Sequence, residues 1–271
     1  MNPPFTPITL CADDYAQNEG IDHAILALLA AKRLTAVSCF STSPRWLQQA
    51  APALREYSAQ ADMGLHFNLT EGFTGPALHH LNRLILRSLL TRLEPLRLAR
   101  LLHQQLDAFE AGFARAPAFI DGHQHVHQLP GVRQALLQIL QSRYPGMDIW
   151  VRNTVPANPQ WRGKAAILKH LGGAAIARAL ESASIRSNDG FAGVYGFDRT
   201  DYDICFAEWI RAAKPGMLIM CHPGASVNPG DAIAEQRLVE YHFLRSPAFD
   251  EMLDAARVRL IPLSRIATHY Y

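Results

Sequence analysis

The side chains of this chain best placed to do chemistry together lie in three short runs: Asp13-Asp14, Asp121-Gly122-His123-Gln124-His125-Val126-His127 and Cys221-His222-Pro223-Gly224. Adjacent carboxylates repel each other when both are ionised, so holding both charged requires a nearby cation or an upward shift of one pKa. A divalent metal meets that requirement. Neighbouring side chains of an extended segment point to opposite sides, so one acid can bind the metal while the other serves as a base beside it. An acid pair standing alone would more simply cap a helix and face solvent. The histidines favour the metal: three imidazoles and a carboxylate within seven residues form a ligand-dense run, and a second acid or carbonyl customarily holds the other nitrogen of a ligating ring.

His66, in Gly64-Leu65-His66-Phe67-Asn68-Leu69-Thr70, offers a further imidazole. An Asp and two His with open positions suit a catalytic divalent ion that activates water and polarises a carbonyl. His222, where Pro223 and Gly224 force a turn, reads either as a turn residue or as a general acid for a leaving amine. Arg152 could orient a catalytic carboxylate or hold substrate.

These residues need elements to carry them. Ile8 to Ala12 reads as a buried strand that stops at the paired acids, and a helix follows from Asn18 or Glu19 through Ile21, Ile25, Leu28 and Leu29. The alternation continues with a strand over Ala36–Phe40, a helix from Trp46 to Tyr57 and a strand ending at Phe67. A helix from Leu98 to Phe113, a strand at Ala118–Ile120, a helix from Val132 to Ser142 and a strand at Ile149–Val151 come next. Gly216–Cys221 is a last strand, closed by a helix near Phe249 to Arg257. Strands alternating with helices predict a parallel α/β sheet, open or closed as a barrel, whose active site gathers at the C-terminal strand ends. Asp13-Asp14, His66, Asp121-Gly122-His123, Arg152 and His222 all fall just past a predicted strand.

At these positions the chain resembles the YdjC-like carbohydrate deacetylases, which include chitooligosaccharide and hopanoid-biosynthesis-associated deacetylases. The resemblance rests on Ala12-Asp13-Asp14-Tyr15, the Gly64–Thr70 run, the Asp121–His127 run and Cys221-His222-Pro223-Gly224. The stretch from Glu235-Gln236-Arg237 to Leu244-Arg245-Ser246-Pro247 also looks like the family's. The resemblance implies an irregular, TIM-barrel-like (β/α) barrel with Asp14, His66 and His123 as metal ligands, Asp13 as base and His222 as acid. Asp121, Arg152, Asn68 and Tyr15 become supporting or substrate-binding residues, as do His125 and His127, either of which could replace His123 as ligand. Where the family has Phe-Gly after the acids, this chain has Tyr15-Ala16. The implied activity is removal of the acetyl group from an N-acetylated sugar, releasing acetate and a free amine. The cofactor is one divalent ion, magnesium by resemblance, although imidazole ligands suit zinc or another transition metal better.

The rest of the sequence narrows the alternatives. Apolar residues make up 49% of the chain, enough for a substantial core, and 271 residues fit one α/β domain spanning 1–271. A formal net charge of +2 is too near balance to argue for nucleic-acid binding. The start, Met1 to Phe5, has no charged and apolar leader pattern, no apolar run is long enough to span a bilayer, and the reading is a cytoplasmic protein. The four cysteines form no C-x-x-C pair, so a thiolate zinc site is not expected. Residues 73–100, with Pro76, Pro95 and Arg83, Arg87, Arg92, Arg97 and Arg100 among leucines, read as an amphipathic cover beside the site with a solvated outer face. A homodimer is the default assembly. Two other functions fit less well: a metal-dependent phosphoesterase or amidohydrolase, for which no second ligand set or phosphate loop is evident, and a non-catalytic sugar-binding protein, for which the catalytic residues are too complete.

Overall fold

The computed structural model describes residues 5–73 and 80–267, so Met1–Pro4 and Pro76 lie outside the described residues. Eight strands form one parallel sheet: β1 (Thr6–Tyr15), β2 (Ala36–Cys39), β3 (Asp62–Phe67), β4 (Phe119–Gly122), β5 (Trp150–Val151), β6 (Phe191–Ala192), β7 (Leu218–Cys221) and β8 (Val258–Leu260). Their order is β5-β4-β3-β2-β1-β7-β6, and β8 pairs with the first residues of β1. Parallel bridges Val151↔Ser187 and Pro156↔Phe191 link the two edges of the sheet. The result is an irregular, incompletely hydrogen-bonded (β/α) barrel, as the sequence predicts.

Strand periodicity builds the barrel interior and, one step further along, the site. Cys11, Ala36, Phe119, Trp150, Phe191, Leu218 and Met220 pack together inside the sheet, with Leu263 and Ile266 alongside them. The Phe119 and Trp150 rings stack there at 4.0 Å. Gly64 belongs to the same layer: a Cβ at that position would meet the Phe119 ring at 2.4 Å, so the missing side chain is what admits the ring. Because every second residue of a strand faces the same way, the next inward positions are Asp13, Ser38, His66, Asp121, Arg152 and His222. An apolar floor thus carries a polar layer, and register aligns the two, with Cys11 opposite Met220, Phe119 opposite Trp150 and His66 opposite Asp121.

The larger core fills the space between sheet and helices. The helix Glu19–Ala30 begins at Asn18, whose side chain accepts from the Ile21 N–H at 3.1 Å. The helix Pro95–Phe113 opens on Pro95, where a missing N–H costs nothing. Residues 155–200, for which the sequence predicts no regular element, hold β6 and the helices Lys164–Leu168 and Ala174–Ser182. The helix Pro247–Ala255 does not close the fold but is followed by β8 and a single 3₁₀ turn, Leu263–Arg265. At two and three residues β6 and β8 carry little periodicity of their own, whereas the equally short β5 is legible from the apolar run Ile149-Trp150-Val151. The helices Tyr202–Arg211 and Ala234–Arg245 were also not anticipated. Among the described residues, no helix is long and apolar enough to cross a membrane.

Candidate active site

The paired acids lie inside β1, where the sequence reading placed them just beyond its end. Between Ala12 and Tyr15 the pairing with β2 shifts register, and Asp14 takes a left-handed backbone conformation with φ 67°. An ideal strand would send neighbouring side chains to opposite faces; here the bulge turns both Asp13 and Asp14 into one cleft of about 720 Å³. Non-glycine residues with positive φ are uncommon and collect at functional sites, and Gln124 and His125 add two more beside the cleft. Their turn, His123–Gln128, folds tightly over Gly122, where a Cβ would lie 2.9 Å from the His127 nitrogen.

Asp14 Oδ1 faces His66 Nε2 at 3.3 Å and His123 Nδ1 at 3.2 Å. One ligand atom from each of these three residues lies within 4.8 Å of the others. Asp14 Oδ2 accepts from Arg237 at 2.7 Å, which leaves Oδ1 for the histidines. His66 Nδ1 is 2.7 Å from Asp121 Oδ1 and 2.8 Å from Ser38 Oγ, so the ring is gripped from behind. Two imidazole nitrogens and a carboxylate oxygen, with an outer carboxylate on the second nitrogen of one ring, match the donor set and outer shell of a divalent transition-metal site.

Electrostatics agree with a cluster built around positive charge. Burial acts upward on the Asp14 carboxyl, but Arg237 and hydrogen bonds from His123 and His66 outweigh it and hold the group well below the usual range. Burial acts downward on His66, but Asp121 and Asp14 carry it up to about 10. A ring between two carboxylates binds a proton where no other cation stands.

Asp13 is engaged differently. Arg152 NH1 and NH2 donate to its two oxygens at 2.6 Å each, and NH2 also lies 2.6 Å from Asp121 Oδ2 and 3.1 Å from Cys11 Sγ. Cys11, Asp13 and Asp121 form a second close group of possible ligands, but the Arg152 guanidinium already supplies its positive charge. The described residues therefore offer one free ligand cluster.

The histidines separate by role. His127 is fully buried, with Nε2 donating to the Arg152 carbonyl at 2.9 Å; burial, opposed only in part by Asp121, takes it down to about 4. His125 lines the cleft against Phe191, and burial with the nearby Arg152 charge keeps it neutral. Neither joins the Asp14 cluster. His222 also lines the cleft; burial outweighs the pull of Asp14 and Asp13 and lowers it to about 4, and its Nδ1 has no partner. Its backbone N–H donates to Glu240 Oε2 at 2.6 Å, and Tyr195 donates to the other Glu240 oxygen.

Two expected supporting residues stand elsewhere. Tyr15 is fully buried and donates to the Ala50 carbonyl at 2.8 Å, which makes it a core residue and not a substrate contact. Asn68 accepts from the Thr70 and Glu71 N–H groups at 3.0 and 2.8 Å, so it shapes the loop after β3 without lining the cleft. Conversely, Arg237, Glu240 and Ser38 were missed. Arg237 and Glu240 share the buried face of Ala234–Arg245 with Tyr241 and Leu244, and charges at helix-core positions are a signal that the sequence contained. Ser38 was legible by counting two residues on from Ala36.

The chain belongs to the YdjC-like family: that family's profile, described as "YdjC-like protein", matches residues 7–255. Two curated relatives, both named "Carbohydrate deacetylase", come from Mus musculus and Homo sapiens. The mouse protein is 31% identical over 153 residues, 51% of this chain and 48% of its own length. The human protein is 30% identical over 156 residues, 52% of this chain and 47% of its own length. The match thus spans about half of each relative. Among solved structures, a putative cellobiose-phosphate cleavage protein from Enterococcus faecalis V583 shares the fold, with a TM-score of 0.70 at 16% identity over 97% of this chain and 100% of that one.

Proposed function

We propose that this chain is a metal-dependent hydrolase that removes the acetyl group from an N-acetylated sugar. The observation that carries the reading is the meeting of Asp14, His66 and His123 with Asp13 and His222 on the wall of one cleft. The names of the mouse and human relatives support the same reaction class.

Asp14, His66 and His123 would hold the cation. When bound, the cation supplies Lewis acidity, polarising the acetamide carbonyl and easing loss of a proton from water. Asp13, both oxygens oriented by Arg152, takes that proton as the water attacks. Burial lowers His222 to about 4, so it would serve as a relay and not as a stored acid. The proton that Asp13 takes from the water would return through His222, which lines the same cleft, to the departing nitrogen. Water and acetamide become acetate and an amine without any further co-reactant. The aromatic side chains of Phe73, Tyr195 and Phe197 on the cleft wall offer flat apolar faces to a sugar ring.

The test is acetate release from a panel of N-acetylated mono- and oligosaccharides, with and without a chelator. Chelator-sensitive acetate release is the expected result. Phosphate release from sugar phosphates without acetate release would instead assign a phosphoesterase.

A further inference from the structure

The amphipathic cover beside the cleft is not a solvated polar face. The helix Leu81–Leu89 buries Leu84 and Ser88, yet it leaves Leu86 58% and Leu89 56% exposed. Leu90 just after it is 48% exposed, and Leu96, in the first turn of Pro95–Phe113, is 83% exposed. Residues three and four apart share a helix face, so Leu86, Leu89 and Leu90 form one outward stripe. Arginines share the two helices and their link: Arg83, Arg92, Arg97 and Arg100 are exposed, and Arg87 and Arg97 line the same shallow depression. Over residues 81–101 five arginines face a single acid, Glu94.

We propose that this helical pair is a docking surface for an anionic lipid bilayer. Protruding leucines interspersed with exposed arginines are the pattern that seats a helix at the headgroup boundary, with apolar side chains below and guanidinium groups among the phosphates. Charge argues against a second copy, because a two-fold contact through this patch would set arginines against arginines. Position gives the surface a purpose: Leu81, in the first turn of the same helix, lines the catalytic cleft, so docking would bring the mouth of the cleft to the membrane. This goes beyond the proposed chemistry, and its test does not depend on turnover.

The experiment is co-sedimentation of the full chain with phosphatidylcholine vesicles, with and without phosphatidylglycerol. Binding that requires phosphatidylglycerol and weakens as salt is raised is expected. Two variants address the two components: Leu86→Ser with Leu89→Ser and Leu90→Ser, and Arg83→Ser with Arg97→Ser. All five side chains are exposed, so the parent's thermal melt should be kept while vesicle affinity falls on the order of tenfold or more in each. Failure to bind phosphatidylglycerol vesicles, or undiminished binding by both variants, overturns the proposal. So does a dimer in light scattering that the leucine variant dissolves, which would assign the patch to a second copy.

Discussion

Arg152 grips both oxygens of Asp13, 139 residues away in the chain, through two contacts of 2.6 Å, and neither side chain is reached by solvent to any useful extent. A planar guanidinium can do this, whereas a lysine ammonium cannot satisfy both oxygens and Asp121 in the same plane. Arg152→Lys is expected to lower kcat by about 100-fold or more through a misaimed base. It should also lower the melting temperature, since damaging a buried ion pair costs about 3–5 kcal/mol. Acetate release measured beside a thermal melt checks both, and an unchanged kcat would remove Arg152 from the machinery.

Asp13 and Asp14 are neighbours with different expected failures. Asp13→Asn should abolish turnover while the purified protein keeps its metal. Asp14→Asn should lose the metal as well. Elemental analysis of the two variants decides, and loss of metal from both alike would contradict the division of labour.

Asp121 touches His66 and Arg152 and does not contribute to the Asp14 cluster. Removing its charge by Asp121→Asn should leave the proposed ligands in place but weaken the hold on the His66 ring, for which a loss of roughly 10–100-fold in metal affinity is the usual scale. Titration with a competing chelator reads this directly.

Glu240 supplies a pH dependence. Burial raises its carboxyl from 4.5 to about 7, despite hydrogen bonds from Tyr195 and the His222 backbone and the nearby charge of Arg237. A carboxyl whose folded-state pKa is raised contributes stability that is fully present below its unfolded value and lost as the pH rises through its folded one. The share of stability that Glu240 contributes should therefore fall by on the order of a few kcal/mol as the pH is taken from about 5 to about 8, while His127 and His222, each lowered to about 4, act in the opposite direction below about 6.5. The difference in melting temperature between the parent and Glu240→Gln isolates that share and should shift against the parent as the pH rises; a pH-independent difference would refute the assignment.

Ala16 sits at φ 74°, buried, in a backbone region that favours glycine. An L-residue in this conformation costs about 1–2 kcal/mol, part of which glycine would return through its greater freedom when unfolded. Ala16→Gly is expected to be neutral to about 1 kcal/mol more stable in chemical denaturation. A clear loss of stability would show that the Ala16 methyl packs well enough to outweigh the strain.

Much of this site could be read in advance because its residues sit on strands whose apolar runs are long enough to recognise. Asp13, His66, Asp121 and His222 are each two residues beyond an inward-facing position, so finding the strand finds the residue. What escaped depended on contacts between distant segments. The left-handed turn at Asp14 overrides the alternation that the sequence pattern implies, and nothing in the types of Asp13 and Asp14 announces it. Arg237 and Glu240 lie on a helix that was not recognised, because charged residues inside its buried face blur the apolar stripe. Tyr15 reads as a polar neighbour of the acids until its hydroxyl is seen to bond Ala50. β6 and β8 derive their conformation from the strands they join more than from their own few residues.

Asp14 meets Arg237 across 223 positions of sequence, and β8 closes on the first residues of β1. During synthesis the guanidinium that neutralises Asp14 emerges 223 residues after it. A nascent chain that has not reached Arg237 therefore has the proposed ligands without the partner that positions the central one. Loading of the proposed ion should wait for that helix, which would keep half-made molecules from acquiring activity.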